Sequence, residues 1–537
     1  MIEDYFEVIE HYKIYEKVSN NAFLELLNEM SNYIFVILKF KKLSQKFDDK
    51  IKQILLNKDE FTEFVLSVLL KETDAYLPKN LTMGEILSKI SDYIESPKAN
   101  PNILEKIVNF PTHDLLIINP KIRLAAKRKM KVATEKLFSN GGGTRHTFGV
   151  SFRENHEEII TIEKMEQGYT MVFCATWIEN NLDYATLLNN FIYLFGLSDD
   201  DMLLNHVYVK SNDTGLISNI YTPKGKHLFP TSLDFKNNEM MADLILYSYY
   251  EILSYYNIRI ESLIDWFFSD YLVSEFNIEN FTVKIKTESN NFFEKCKLIL
   301  PELDRILKQF NFYVEENEID PELIQMISAS TPISLIKSML NKKYIYLSSN
   351  NQWVSTAVNL LFQSNSLSYF KDKTEKKSFF EYLNSYKLKI DDFENYQIQA
   401  LDWLIDHNII EWDEDEYLEI ADYKLIYILK KLNEKEVIAY HHCNIEIQNL
   451  IDKLLDENEL TSKNSLLSEN EHNMFDYYLN QFKYTNGPDL RNKYLHGTNS
   501  FDESQNQRDY FTIMRLIVLT VIKINDDLST KFPIIST

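Results

Sequence analysis

The chain has 537 residues, with 57 Lys and Arg against 80 Asp and Glu, which gives a formal net charge of −23. Apolar residues make up 45% of the chain, which excludes an intrinsically disordered protein, and the acidic balance argues against broad, non-specific nucleic-acid binding. Only 11 Gly and 12 Pro occur, which excludes Gly-rich linkers and collagen-like structure.

The cysteines and the apolar segments indicate the compartment. Cys174, Cys296 and Cys443 are far apart and odd in number, so they suggest neither a disulfide framework nor a zinc knuckle. The acidic start, Met1–Tyr5, lacks the order of a signal peptide, and the apolar stretch Leu516–Ile524 is far shorter than the roughly 20 residues that cross a bilayer. We expect a cytoplasmic protein with no membrane partner.

The periodicity predicts a mainly α, multidomain protein with an α+β middle region. Apolar residues recur at helical spacing near the N-terminus, as at Phe23, Leu26 and Leu27. No repeat with a fixed period of 20–50 residues is visible. The predicted boundaries are 1–138 for a helical N-terminal domain, 139–310 for an α+β domain, 311–435 for a helical region with a winged-helix-like segment, and 436–537 for a helical bundle.

One helix of the N-terminal domain carries a dense basic run. Asn119 and Pro120 form a typical helix start, and the helix that follows is rich in cations: Lys121, Arg123, Lys127, Arg128, Lys129 and Lys131. Two interpretations are open. The run is either a solvated face paired with acidic neighbours, or a contact for an RNA backbone or a nucleotide phosphate, with Lys127, Arg128 and Lys129 as candidates.

A glycine cluster marks the start of the α+β region. Ser139–Arg145 contains three consecutive glycines, but no GxxxxGK[ST] motif occurs, so we interpret the segment as a hinge rather than a P-loop. The pattern then changes to short strands, predicted at 148–152, 158–162 and 170–177.

A helix followed by a hairpin is predicted after residue 398. Ala400, Leu401 and Leu404 belong to a helical stripe, and the apolar segments 409–412 and 417–420 flank a turn. This order resembles a winged helix. Its turn, Asp413–Glu416, is entirely acidic and would repel DNA, so we predict a packing or protein-contact module.

The last hundred residues predict a compact helical bundle. The expected helices cover about 435–456, 465–482, 488–496 and 505–528. Within the first, His441, His442 and Cys443 are adjacent and would point in different directions, so they predict no metal site. No cofactor is expected.

The segment from Gly487 to Gly497 contains the sharpest chemical signal. In a helix Arg491 and His496 would lie about 140° apart and about 7.5 Å along the axis, flanking one groove. Arginine can hydrogen-bond two phosphate oxygens, and histidine can exchange a proton with a ribose 2′-hydroxyl or a leaving oxygen. The pair therefore suits cleavage of RNA.

Arg491–His496 also resembles the Arg-x4–6-His motif of HEPN-domain ribonucleases, including the polar Asn492 after the arginine. The LRNxxxHG form is similar to C-terminal HEPN domains of abortive-infection and anti-phage proteins. The resemblance covers residues 436–537 and implies a homodimer with a composite, metal-independent endoribonuclease site. Arg491, Asn492 and His496 would be catalytic, and Lys493 and Tyr494 would contact the RNA substrate. Thr498 occupies the position of a tyrosine that is modified in some HEPN toxins.

The sequence leaves the role of residues 1–435 and the trigger open. The N-terminal part would sense a phage-derived or nucleotide trigger or restrain the nuclease, and assembly beyond a dimer is conceivable. Two alternatives remain: a non-catalytic HEPN dimerisation or interaction protein, and a sensor that binds RNA or a nucleotide. In a purely structural interpretation, Arg491 pairs with Asp489 or Asp502 and His496 caps its helix.

Overall fold

The structure, a computed structural model, describes residues 2–70, 72–110, 113–139, 147–213, 222, 227–286, 289, 291–326, 331–349, 353–371, 373–495 and 502–533. The fold is mainly helical with small sheets, as predicted. Two compact units are present, and each is described by itself. Unit 1 comprises Met1–His146, Tyr221–Thr231 and Leu479–Pro488, and unit 2 comprises Thr147–Ile220, Ser232–Tyr478 and Asp489–Thr537. The division into four domains stays a prediction.

Unit 1 is built from helices, as its apolar spacing predicts. Their bounds are α1 Ile2–His11, α2 Ile14–Lys17, α3 Asn20–Glu29, α4 Ile34–Ile37, α5 Lys41–Lys46, α6 Asp48–Leu56, α7 Phe61–Leu69, α8 Met83–Glu95, α9 Pro101–Val108 and α10 Pro120–Ser139. The apolar stripes of these helices form one core, in which Phe6, Phe23 and Leu104 are almost fully buried.

Local capping signals set the helix starts in unit 1. Thr82 and Glu85 form a reciprocal capping box at α8. Asn119 Oδ1 accepts a hydrogen bond from the backbone N–H of Ile122 at 3.0 Å, which confirms the predicted start of α10. The predicted hinge Ser139–Arg145 lies outside the described residues except for the backbone of Ser139.

Unit 2 begins with a three-stranded mixed sheet of order β1-β3-β2, formed by β1 Thr147–Arg153, β2 Ile160–Met165 and β3 Gly168–Cys174. β1 pairs parallel with β3, and β2 pairs antiparallel with it. The three predicted strands are therefore present, but the third ends at Cys174, and residues 175–177, which were predicted as its last residues, begin the helix Ala175–Glu179. The inner strand β3 contributes buried residues such as Val172 and Phe173.

Long helices form the core of unit 2. The helices are α11 Ala175–Glu179, α12 Tyr184–Tyr193, α13 Leu233–Tyr255, α14 Ile260–Trp266, α15 Leu272–Phe276, α16 Phe292–Glu316, α17 Pro321–Met326, α18 Trp353–Phe362, α19 Phe379–Ser385, α20 Asn395–Asp406, α21 Tyr423–Lys435, α22 Ile445–Asp456, α23 Glu469–Leu479, α24 Leu490–Leu495 and α25 Glu503–Lys531. α25 packs along α13 and α16 and is buried from Ile513 to Ile524 on all faces. None of the helices in the described part of the chain is long and apolar enough to cross a membrane.

The remaining strands are short. β4 Tyr344–Leu347 pairs antiparallel with β7 Ile438–Ala439 and β8 Leu460–Lys463, and β5 Ile410–Trp412 forms a hairpin with β6 Leu418–Ile420. The predicted hairpin is thus confirmed.

The predicted continuous helix over about 435–456 is wrong. Glu436 has φ 61° and ends α21, Ile438 and Ala439 pair with β4, and Asn444 caps a new helix, α22. The left-handed conformation of Glu436 and the cap at Asn444 interrupt helical hydrogen bonding. The apolar residues of this segment are therefore divided between the short strand β7 and the helix α22.

The same order of secondary-structure elements occurs twice in unit 2. A 3-10 turn at Ile390–Asp392 is followed by α20, a left-handed Asn408 and β5; a turn at Tyr440–His442 is followed by α22, a left-handed Asn458 and β8. The second set begins 50 residues after the first. In each set the N–H after the asparagine bonds back into the helix, Ile409 to Leu404 and Glu459 to Leu454. The structure therefore contains an internal repeat that the sequence pattern does not reveal.

Candidate functional site

The Arg-x4-His segment lies on the short helix α24. Asp489, with φ 56°, precedes the helix, and its carbonyl accepts the first intrahelical bond from Lys493 N at 3.0 Å. Leu490 and Tyr494, four residues apart, are buried, so they fix one face of α24 against the protein. The residues between them are held closer to the surface.

Arg491 is paired with an acid from another helix. Its Nη2 donates a hydrogen bond to Asp304 Oδ1 on α16, and the two side chains are 26% and 35% exposed. Arg491 Nε is buried and has no hydrogen-bond partner among the described residues. The guanidinium thus has a counterion, and its buried Nε lacks an acceptor within the described ranges.

The predicted structural partners of Arg491 are wrong. Asp489 instead accepts hydrogen bonds from Asn492 Nδ2 at 3.0 and 2.9 Å, and Asp502 accepts one from Ser504 N at the start of α25. No local pattern marks Asp304, which is separated from Arg491 by 187 positions. Only the tertiary structure reveals this ion pair.

Lys493 and Tyr494 are engaged with the same carboxylate on α25. Lys493 Nζ forms an ion pair with Asp509, and the hydroxyl of Tyr494 lies 2.7 Å from Asp509 Oδ2 and 2.9 Å from Asn506 Oδ1. Burial and the Asp509 carboxylate raise the pKa of Tyr494. Tyr494 is 3% exposed, so the predicted substrate contact would require α24 to move.

His496 and Thr498 lie outside the described residues, which stop at Leu495 and resume at Asp502. The predicted pairing of Arg491 and His496 in one groove stays a prediction.

The adjacent residues His441, His442 and Cys443 point in different directions, each toward its own partner. His441 Nε2 is 2.7 Å from the carbonyl oxygen of Asn341, and His442 Nε2 is 2.8 Å from Asp526 Oδ1. Cys443 Sγ is 3.6 Å from the carbonyl oxygen of Ala439. Burial raises the pKa of the Cys443 thiol to about 11. The three side chains have separate partners, as their adjacency predicts.

The basic helix α10 belongs to unit 1 and divides into two kinds of cation. Arg123 turns inward, where its guanidinium donates to the carbonyls of Val108 and Phe110 at the end of α9, and Nε donates to Ile118 O at 3.1 Å. This arginine satisfies carbonyls that a helix end leaves without partners. It has a structural role.

The other cations of α10 point away from the core. Lys127 and Arg128 are exposed and Lys129 is partly exposed. Within the described ranges, none of the three forms an ion pair with a carboxylate. The interpretation that acidic neighbours pair with this face is therefore not supported for these residues.

A second buried polar cluster lies between α13 and α25. Arg515 Nη1 is 3.2 Å from Asp243 Oδ1, its guanidinium lies over the ring of Tyr478, and the Tyr478 hydroxyl donates to Glu239 at 2.7 Å. Burial raises the pKa of Asp243 to about 6, and burial together with Arg515 lowers the pKa of His206 to about 4. Sequence patterns single out none of these residues.

No family model, no curated protein and no solved structure matches the chain.

Proposed function

We propose that the protein is a cytoplasmic, metal-independent endoribonuclease of an anti-phage defence system, with residues 436–537 as a HEPN-like domain. The proposal rests on the Arg491–His496 motif. The observation that supports it best is the state of Arg491, a partly exposed guanidinium on a short helix, whose Nε lacks an acceptor among the described residues. A phosphate oxygen that replaced the Asp304 carboxylate would be an acceptor suited to such a guanidinium.

The proposed reaction uses the RNA's own 2′-hydroxyl. Its oxygen forms a bond to phosphorus, the bond from phosphorus to the 5′-oxygen breaks, and the products carry a 2′,3′-cyclic phosphate and a 5′-hydroxyl. His496 from the two motif copies of a homodimer takes the 2′-proton and supplies one to the leaving oxygen. Arg491 stabilises the negative charge that develops on the phosphate oxygens, and Asn492 orients the substrate or the histidine.

Asp304 has a defined role in this proposal. Its carboxylate accepts a hydrogen bond from the Arg491 guanidinium, to which the phosphate would also bind. The two anions therefore compete for Arg491. Because both side chains are partly exposed, the pair is weak enough to be opened by substrate or by a trigger, whether phage-derived or a nucleotide. We infer that this ion pair restrains the nuclease.

Residues 390–420 contribute a winged-helix-like unit in this proposal. The support is the order of a 3-10 turn, helix α20, the left-handed Asn408 and the β5–β6 hairpin. The hairpin turn between β5 and β6 is acidic, with Asp413 accepting hydrogen bonds from Asp415 N and Tyr417 N. Phosphate repulsion at this turn favours a protein partner over DNA.

Unit 1 contributes an RNA-backbone contact through α10. The support is the face of Lys127, Arg128 and Lys129, which no described carboxylate neutralises in a chain of net charge −23. Such cations bind phosphates by releasing counterions, independently of sequence.

The test is cleavage of mixed cellular RNA in excess EDTA by wild type, Arg491→Ala and His496→Ala, with Arg508→Ala as the matched control. Arg508 is an exposed arginine on α25 whose side chain donates a hydrogen bond to Gln505. We expect cleavage by wild type and Arg508→Ala alone. If wild type is inert, the assay is repeated with lysate of phage-infected cells. Equal cleavage by all variants overturns the assignment of the site.

A non-catalytic interaction protein is the second candidate. The engagement of Lys493 and Tyr494 with Asp509 favours it, because those contacts hold α24 against α25 without any substrate. A wild-type protein that is dimeric, and inert both alone and with infected lysate, would establish this alternative over the nuclease.

A further inference from the structure

A groove in unit 2 lies between β1 and the C-terminal end of α13. It has a volume of about 400 Å³ and is open to solvent. Phe152, Tyr247, Tyr255 and Tyr256 contribute aromatic walls. None of these residues belongs to the Arg491 site, so the groove is independent of the proposed nuclease.

Two of the aromatic rings form a corner. The ring centroids of Tyr255 and Tyr256 are 5.1 Å apart and their planes are at 82°. Tyr255 is 80% exposed, which leaves a ring face available to a ligand. Aromatic faces attract cations that approach within about 6 Å of the ring centre, and perpendicular faces can contact one cation from two sides.

Carboxylates surround this corner. Glu154 and Glu251 line the groove, and Glu179 is close enough that burial, the Glu179 charge and then the Glu154 charge raise the pKa of Tyr256. Over the ranges that the structure describes, none of these three carboxylates has an ion-pair or hydrogen-bond partner. The last turn of the 23-residue α13 adds partial negative charge from its carbonyls.

A polar atom at the groove also lacks a partner. The hydroxyl oxygen of Ser151, which lines the groove beside Phe152, is buried and makes no hydrogen bond within the described residues. Buried polar atoms without partners are uncommon. The aromatic corner and the carboxylates both favour a cationic ligand with apolar segments.

We propose that the groove is a binding site for an organic polycation of the alkylammonium class, such as a polyamine. Alkyl segments would pack on Tyr255 and Tyr256, and the ammonium groups would pair with Glu154 and Glu251. An inorganic divalent cation would satisfy the carboxylates but gain little from the rings. The aromatic contribution is therefore the distinguishing property of the site.

The test is isothermal titration of the full chain with spermidine, and separately with choline and Mg²⁺. Tyr255→Leu and the double variant Glu154→Gln/Glu251→Gln should each weaken spermidine binding about tenfold or more. The matched controls are Tyr193→Leu, a tyrosine 82% exposed on α12, and Glu414→Gln in the β5–β6 turn. Both controls should bind as wild type does.

Each outcome decides the proposal. Tighter binding of choline than spermidine would retain the alkylammonium site but assign it to a quaternary ammonium ligand. Absence of spermidine binding, equal loss in Tyr255→Leu and Tyr193→Leu, or competition by Mg²⁺ at equal concentration would overturn it. Tyr255 is exposed, so its replacement tests binding without disturbing the core.

Discussion

The basic residues of the C-terminal helices and those of α10 have opposite surroundings. On α24 and α25, Arg491, Lys493, Arg515 and Lys523 each have a carboxylate partner. On α10, Lys127, Arg128 and Lys129 have none among the described residues. Lys493, Arg515 and Lys523 hold the C-terminal helices in place, whereas Lys127, Arg128 and Lys129 are available to an anionic partner. The sequence alone does not show whether a basic residue forms a structural ion pair or is available to an anionic partner.

The largest expected effect is at the buried pair of Lys523 and Glu471. Lys523 Nζ lies 3.1 Å from Glu471 Oε1, and both side chains are 1% exposed. Glu471→Gln leaves a buried ammonium without its counterion, so the free energy of unfolding should fall by about 3–5 kcal/mol. Urea unfolding followed by tryptophan fluorescence measures this change in unit 2, which contains all five tryptophans: Trp177, Trp266, Trp353, Trp403 and Trp412.

The matched control is the exposed pair of Lys424 and Glu446. Their atoms lie 2.9 Å apart, but the side chains are 53% and 66% exposed. Glu446→Gln should change the unfolding free energy by less than about 1 kcal/mol. Equal effects of Glu446→Gln and Glu471→Gln would contradict the view that burial makes the C-terminal pairs structural.

The next largest effect is the pH dependence that His206 gives to the free energy of unfolding. Its folded pKa of about 4 lies below the unfolded value of 6.5, so the unfolded state binds more protons between these values. The neutral histidine therefore stabilises the fold fully above pH 6.5, and this stabilisation is lost as the pH falls to about 4. Asp243, whose pKa is raised from 3.8 to about 6, contributes with the opposite sign and masks the effect in wild type.

A difference measurement separates the two contributions. The unfolding free energy of wild type minus that of His206→Asn should increase by about 3 kcal/mol between pH 4 and pH 6.5. Asp243→Asn provides the complementary variant, whose difference from wild type should change in the other direction. If the difference between wild type and His206→Asn does not vary with pH, the pKa of His206 is the same in the folded and unfolded states, which contradicts the prediction.

The face of α10 should produce a smaller effect, on RNA binding. Reversing the charges of Lys127, Arg128 and Lys129 to Glu should weaken binding of a single-stranded RNA by roughly 10- to 100-fold at low salt. The slope of log affinity against log salt should decrease by about 2, because each phosphate contact contributes about 0.7. Fluorescence anisotropy at several salt concentrations measures both quantities.

The control keeps the total charge change constant. Lys17, Lys42 and Lys79 are exposed lysines of unit 1 outside α10. Their reversal to Glu should leave the salt slope within experimental error of wild type. An equal loss in both triple variants would show that net charge, rather than the α10 face, governs RNA binding.

The smallest effect on stability is expected at Asp304. Asp304→Asn removes a partly exposed ion pair, so the unfolding free energy should change by less than about 1 kcal/mol. RNA cleavage should rise severalfold, because the phosphate no longer competes with a carboxylate for Arg491. Glu315 lies on the same helix as Asp304 and forms an exposed ion pair with Lys337, so Glu315→Gln should change neither quantity. A fall in cleavage to the level of Arg491→Ala would contradict the competition.

Helix caps and apolar spacing in the sequence correctly predicted several elements of the fold. The asparagine cap before α10, the β5–β6 hairpin and the final helix, predicted over 505–528 and observed as Glu503–Lys531, follow from caps and apolar spacing. The break between α21 and α22 was missed because Glu436, an ordinary helix former, adopts a left-handed conformation there. The repeat was missed because the identical residues of its two copies, such as Asn408 and Asn458, are few and lie between unlike neighbours.

The candidate site was predicted only in part. The motif places Arg491 on a short helix, as expected, but its counterion Asp304 comes from α16 and the partner of Lys493 and Tyr494 comes from α25. Such contacts depend on the packing of distant helices, which no local spacing encodes. The same holds for the buried pair of Arg515 and Asp243.

Cleavage of an RNA oligonucleotide and its fully 2′-O-methylated counterpart, in excess EDTA, tests the central claim most directly. Wild type, with infected lysate if required, should cut only the unmodified RNA and leave 2′,3′-cyclic phosphate ends, and Arg491→Ala should cut neither. Cleavage of the methylated strand, or cleavage by Arg491→Ala at the wild-type rate, would contradict the proposed site and its chemistry.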